Sequence, residues 1–310
     1  MQVMKKLKLG LVGLAASVSV MAAEPVIEIV VGFPAGGSND LIGRSLQQVL
    51  IEKANFKVVV TNKIGGDGVV AYNYYSINPS NKILILSPSN TEYIAEYKKA
   101  SGGTYDPINN LDYIVPIAVQ AFTLMVPYDS KYQTLADLEE DARHHNINCG
   151  VQATTGTFML QYLQARDKFP LNIIPYKGGA AVDAALLANQ VDCGIDTMSG
   201  FIPYEASKKL RILTTFSTDH SHHTNIKPVD NHDLFEFFNA IGLSNKMDPE
   251  IRNRIIELTV NLKNDPEFVE KHKSLGMGFP AKMPTDYKKV LQKNVQALSE
   301  VKEKYKLGAE

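Results

Sequence analysis

Apolar residues in this chain follow two alternating rhythms, and the alternation predicts its architecture. Short β-branched runs at 27–31, 57–61 and 83–87 read as strands. Between them apolar positions recur at helical spacing: Leu41, Ile42, Leu46, Val49 and Leu50 in a helix reaching about Lys53, and a second helix over 69–76. A β-α-β-α-β series implies a parallel sheet covered by helices. A second series repeats the order, with a strand over 147–151, a Thr-rich turn, a helix over 158–167, a strand over 171–175, a helix over 181–189 and a strand over 191–196. Strand-rich 114–126 and a helix over 134–143 lie between the two. After Asp248-Pro249 the tail reads as helices over 249–260, 265–275 and 285–304, the proline standing where a first helical turn tolerates it.

The pattern predicts an α/β chain of two lobes, each a mostly parallel sheet flanked by helices. No low-complexity linker divides it, so the lobes are expected to be tied by two or more crossings. A discontinuous first lobe is expected at 23–125 and 236–310, and a second at 126–235.

The junctions between strands and helices carry the candidate chemistry. In FPAGGSND, residues 33–40, Pro34 ends a buried strand, Gly36 and Gly37 permit dihedrals closed to other residues, and Ser38 or Asn39 can cap the following helix. A helix start leaves its first N–H groups without partners and carries roughly half a positive charge, so the segment predicts an anionic ligand. It is neither a dinucleotide fingerprint nor a P-loop, since G-x-G-x-x-G and G-K-[ST] are absent. CGVQATTGT, residues 149–157, repeats the logic in the second series, so two helix starts could hold one elongated anion across a cleft. Asp40, in a first helical turn, is favoured there by the dipole alone, by about 0.3–1 kcal/mol, and reads as a cap as readily as a ligand group.

Composition narrows the class. Lys5, Lys6 and Lys8, an apolar run over 9–20, and Ala22-Ala23 read as a secretory leader cleaved after Ala22, with no cysteine nearby for a lipid anchor. The run is too short to span a bilayer permanently. Formal net charge is −1, and the leader carries three lysines and no acid, so its removal leaves −4. That balance argues against nucleic acid. The two cysteines, Cys149 and Cys193, fall in short buried strands. Export makes a disulfide conceivable. The residues read first as a pair of small buried apolar side chains. His220, His222 and His223 sit among polar neighbours and read as a solvated loop rather than a metal site.

FPAGGSND, TNKIGGDG at 61–68, YDP at 105–107, PYKGG at 175–179 and QVDCGID at 190–196, in this order, resemble the Bug (TctC) family of periplasmic solute-binding proteins of tripartite tricarboxylate transporters. The likeness runs through nearly all of the chain after the leader. It implies a two-lobe, type II periplasmic-binding-protein-like fold that closes on a small organic carboxylate in the cleft between lobes. It also implies a periplasmic location and membrane transporter subunits as partners; no cofactor or metal is expected, and a monomer is. By position it implies ligand contacts from Pro34, Ala35, Gly36, Gly37, Ser38, Asn39 and Asp40. Ser87 and Ser89 would line the same lobe, with Thr154, Thr155, Gly156, Thr157, Lys177, Gly178 and Asp196 facing them. The chain departs from the family pattern at Asp67, an acid near the anion site, and in lacking tryptophan.

An enzyme is the rival class, but no G-x-S-x-G elbow, H-E-x-x-H helix or C-x-x-C pair is present. A sensory partner presenting ligand to a membrane receptor would use the same closed lobes.

Overall fold

The computed structural model describes residues 25–87, 106–217, 226–230, 237–279 and 287–307. The leader, Ser89 and the histidine loop lie outside these. Strand β1 (Val26–Val31) leads into α1 (Ser38–Ala54), β2 (Lys57–Asn62), a 3-10 turn (Gly66–Gly68), α2 (Val69–Ile77) and β3 (Lys82–Leu86). Ile27, Ile29, Val30 and Val31 are wholly buried because a parallel sheet carries helices on both faces. Ile42, Leu46, Val49 and Leu50 of α1 pack into the same core, each buried aliphatic side chain contributing about 1.5–3 kcal/mol. Asn55 in the left-handed region stops α1.

A short helix α3 (Pro107–Asn110) precedes β4 (Tyr113–Gln120), and Ala121 alone separates β4 from β5 (Phe122–Pro127). β4 and β5 belong to different sheets, so the chain passes from one lobe to the other across this residue. Helix α4 (Leu135–Ala142) opens with a reciprocal capping box between Thr134 and Asp137. β6 (Asn148–Gln152), α5 (Ala153–Asp167), β7 (Asn172–Tyr176), α6 (Gly179–Leu187) and β8 (Cys193–Thr197) then follow as the second apolar series predicts. The Thr-rich segment is not a turn: Thr154–Thr157 form the first turn of α5.

Helix α7 (Met198–Glu205) and β9 (Leu210–Thr215) complete the second sheet, and β10 (Phe237–Leu243) returns to the first. Asp248 and Asp265 cap α8 (Pro249–Asn261) and α9 (Pro266–Ser274) with side-chain acceptors, each ahead of a first-turn proline. β11 (Met277–Gly278) and α10 (Tyr287–Tyr305) end the described chain. The sheets have the orders β11-β4-β10-β3-β1-β2 and β7-β6-β8-β5-β9. In each, three parallel strands meet an antiparallel one, β10 against β3 and β5 against β8.

Cys149 and Cys193 correct the first reading of two small apolar side chains. They are in-register partners on the parallel strands β6 and β8, with Cα atoms 4.5 Å apart, and they form a disulfide. Equal register on adjacent strands puts both side chains on one face within bridging range.

Candidate functional site

The strand ends of β1, β6, β7 and β8 face one another across a cleft of about 340 Å³. On the first-lobe side, Gly36 turns the chain at φ 83°, and Gly37 is the extended residue that starts α1. Neither Ser38 nor Asn39 caps the helix, as the sequence suggests they could; they are its first residues, and their amides have no intrahelical acceptor.

Asp40 braces this loop from behind. It is 1 % exposed, and its carboxylate accepts from the Gly36 amide at 2.9 Å, Arg44 Nε at 2.8 Å and Asn62 Nδ2 at 3.0 Å. Burial opposes ionisation, but the hydrogen bonds from Arg44, Gly36 and Asn62 outweigh it and hold the carboxyl below its ordinary range. Asn62 also donates to the Phe33 carbonyl at 2.9 Å. Asn39 accepts from the fully buried Asn239 of β10 at 2.7 Å, which ties the helix start to the returning strand.

On the second-lobe side the cleft meets Gln152, Lys177, Gly178, Gly179, Asp183, Asp196, Thr197 and Ser199. Asp196 is 4 % exposed and accepts from Gln152 Nε2 at 2.5 Å and from the Thr197 amide at 2.6 Å. Its carboxylate fills the space that side chains at Gly179 and Gly200 would occupy, so both positions need the bare backbone. Asp183, at the middle of α6, lies against it and is also 4 % exposed. Burial, and after it the adjacent carboxyl, raises Asp183 well above the carboxylate range. Burial raises Asp196 too, against the hydrogen bonds from Thr197. The pair therefore keeps a proton at pH values where ordinary carboxyls have lost theirs. Asp183 Oδ1 is sealed from solvent and has no hydrogen-bond partner among the described residues.

Phe33, Pro34, Lys177 and Gly178 form a partition between this cleft and a second cavity of about 580 Å³, which also takes in Ile64, Gly65, Gly66, Asp67 and Tyr176. Gly178, at φ 92°, leaves its Cα side open to the Pro34 ring. Beside the partition Thr154 Oγ1 donates to Asp67 Oδ2 at 3.3 Å, joining the lobes.

The structure thus brings Pro34, Gly36, Gly37, Ser38, Asn39, Lys177, Gly178 and Asp196 to one cleft. Ala35 and Asp40 belong to the same loop without lining it. Ser87 is buried at the end of β3; Thr155 and Gly156 are buried in α5, where Gly156 allows close approach to Val151. Thr154 and Thr157 are half-buried on the first turn of α5. Sequence reasoning passed over Asp183 and Asn239. Asp183 could have been found as the one charged residue in the otherwise small and apolar GAAVDAALL of α6.

The profile of the tripartite tricarboxylate transporter family receptor, TctC, matches residues 42–307. A Cupriavidus necator protein, described as a UPF0065 protein in the gbd 5' region, is 28% identical over 199 residues, 63% of this chain. The match spans 60% of that relative's length. Protein BugT of Bordetella pertussis is 27% identical over 220 residues, covering 68% of this chain and 67% of BugT. Among solved structures, an R. palustris protein with adipate superposes with a TM-score of 0.75 at 18% identity, over 90% of this chain and 96% of its own. That likeness speaks for the fold: two α/β lobes about a cleft. The profile match extends over most of the chain, and with it the chain belongs to the tripartite tricarboxylate transporter receptor (TctC) family.

Proposed function

We propose that the chain is a periplasmic solute-binding protein that captures a small organic carboxylate in the cleft between its lobes and delivers it to the membrane subunits of a tripartite tricarboxylate-type transporter. The observation that carries this reading is the glycine-built start of α1, whose first amides stand at a cleft shared with Lys177 of the other sheet. The R. palustris relative with adipate supports the ligand class. The two bodies that close are the two sheets with their helices, and the chain first crosses between them at Ala121, a few residues before the boundary at 125 expected from the sequence. Ligand favours the closed form by touching both bodies at once. Binding, not chemical conversion, is the role.

A thermal-shift screen of the leaderless protein against mono-, di- and tricarboxylates and acidic amino acids tests this. A ligand at 100 times its dissociation constant should add about 2.7 kcal/mol of stability. No stabilisation by any carboxylate would overturn the reading.

A further inference from the structure

We propose that Asn239 of β10 is a positioning residue for the ligand: it turns the side-chain amide of Asn39 so that the NH2, and not the oxygen, faces the cleft and donates to a ligand carboxylate. This rests on the proposed carboxylate-binding role. The opening amides of α1 make a donor surface at the cleft, which a side chain of the first turn can extend or spoil. Asn39 is such a side chain, lining the cleft and 7 % exposed. An asparagine amide accepts at one end and donates at the other, so fixing one end decides what the other presents.

Asn239 does the fixing. It is fully buried, and its Nδ2 lies 2.7 Å from Asn39 Oδ1 and 3.5 Å from the Leu86 carbonyl. A main-chain carbonyl only accepts, so the NH2 of Asn239 belongs on that side and Asn39 meets it with oxygen. Asn39 Nδ2 is left over: among the described residues it has no hydrogen-bond partner, and it is not one of the atoms sealed from solvent. The arrangement leaves Asn239 Oδ1 sealed, with no partner among the described residues. An apolar residue at 239 would avoid that cost, so packing alone does not account for the asparagine. Orienting Asn39 does. Its two N–H groups, added to the main-chain amides, suit the two oxygens of a carboxylate, whereas the opposite orientation would set an oxygen against them.

The test is a double-variant cycle on the leaderless protein, read by calorimetry with succinate, glutarate, adipate, citrate and glutamate as probes. Asn239→Leu, which removes the sealed oxygen and frees Asn39 to rotate, should weaken whichever probes the parent binds by about fivefold. Asn39→Ala should weaken them at least as much. In that background Asn239→Leu should add almost nothing, because Asn239 acts only through Asn39. An equal loss from Asn239→Leu in both backgrounds would make Asn239 a packing residue and overturn the proposal, as would unaltered affinity in Asn239→Leu alone. Nitrogen–proton spectra give a second readout that needs no ligand. The Asn39 NH2 signal, identified by its absence from Asn39→Ala, should exchange with water faster than that of Asn239; the reverse order would overturn the orientation. Each of these failures leaves carboxylate capture standing, whereas binding of none of the probes would overturn that reading and this inference with it.

Discussion

His272 shows how one buried side chain sets a pH response away from the cleft. Its ring is fully buried on α9, with centroids 4.0 Å from Phe268 and 5.2 Å from Phe279. Nδ1 donates to the Phe268 carbonyl at 3.1 Å, and Nε2 has no partner among the described residues. Burial pushes its pKa down to about 4. Unfolded chains protonate histidine near pH 6.5, so between about 6.5 and 4 the unfolded state binds a proton that the native state refuses. Stability from this residue is complete above that window and drains as pH falls through it. The acid pair has the opposite sign: its raised pKa values mean that the native state holds the extra proton, so its contribution declines as pH rises from about 4. In the parent the two slopes offset. Denaturant titrations should therefore show that on going from pH 7 to 5 the stability of His272→Phe rises relative to the parent's by about 2 kcal/mol. An unchanged pH slope would mean that His272 is protonated in the native state.

At the scale of elements, the disulfide joins two strands that hydrogen bonds already pair, so its contribution is to the unfolded chain. Cys149 and Cys193 close a loop with a sequence separation of 44, for which loop entropy gives about 4 kcal/mol as an upper figure. Cys149→Ala with Cys193→Ala should lower stability by about 2–4 kcal/mol without altering ligand affinity, because the bond lies at the strand starts rather than at the cleft. A melting point equal to the parent's would show that the bridge constrains nothing. The bond was not legible from the sequence, since register between β6 and β8 depends on the whole second sheet. What was legible follows a simple physical rule. β1, β2, β3 and β7 are runs rich in β-branched residues, β6 and β8 are short buried segments bounded by turn residues, and α1 has clean helical spacing. Helix α7 escaped because Pro203 and Gly200 break its pattern, and β9 and β10 because they are antiparallel strands that belong to neither parallel series. The α1 cradle could be read from glycines alone, whereas Asp183 needed the fold to set it against Asp196.

For the whole molecule the question is what holds the lobes together in the absence of ligand. The chain crosses at Ala121 and again between β9 and β10, and α10 packs across α3, β4 and α5, with Tyr305 edge-on to Tyr162 at 5.4 Å. These contacts are on the side of the crossings. At the cleft mouth the lobes meet where Pro34 abuts Gly178 and where Thr154 donates to Asp67. Asp67 sits at φ 47°, a conformation that costs an L residue something and glycine almost nothing. Asp67→Gly therefore removes the interlobe acceptor while relaxing the loop that presents it, so a loss of closure cannot be blamed on local damage. One hydrogen bond is worth about 1 kcal/mol net, or about a fivefold change in the ratio of closed to open forms. In solution scattering the unliganded variant should be more expanded than the parent, and stopped-flow displacement should show its ligand leaving severalfold faster. Thr154→Val should reproduce both effects, and the double variant should fall short of the sum of the two, because the two side chains share this bond. Unchanged radius and unchanged dissociation in both single variants would show that the crossings and α10 alone set closure.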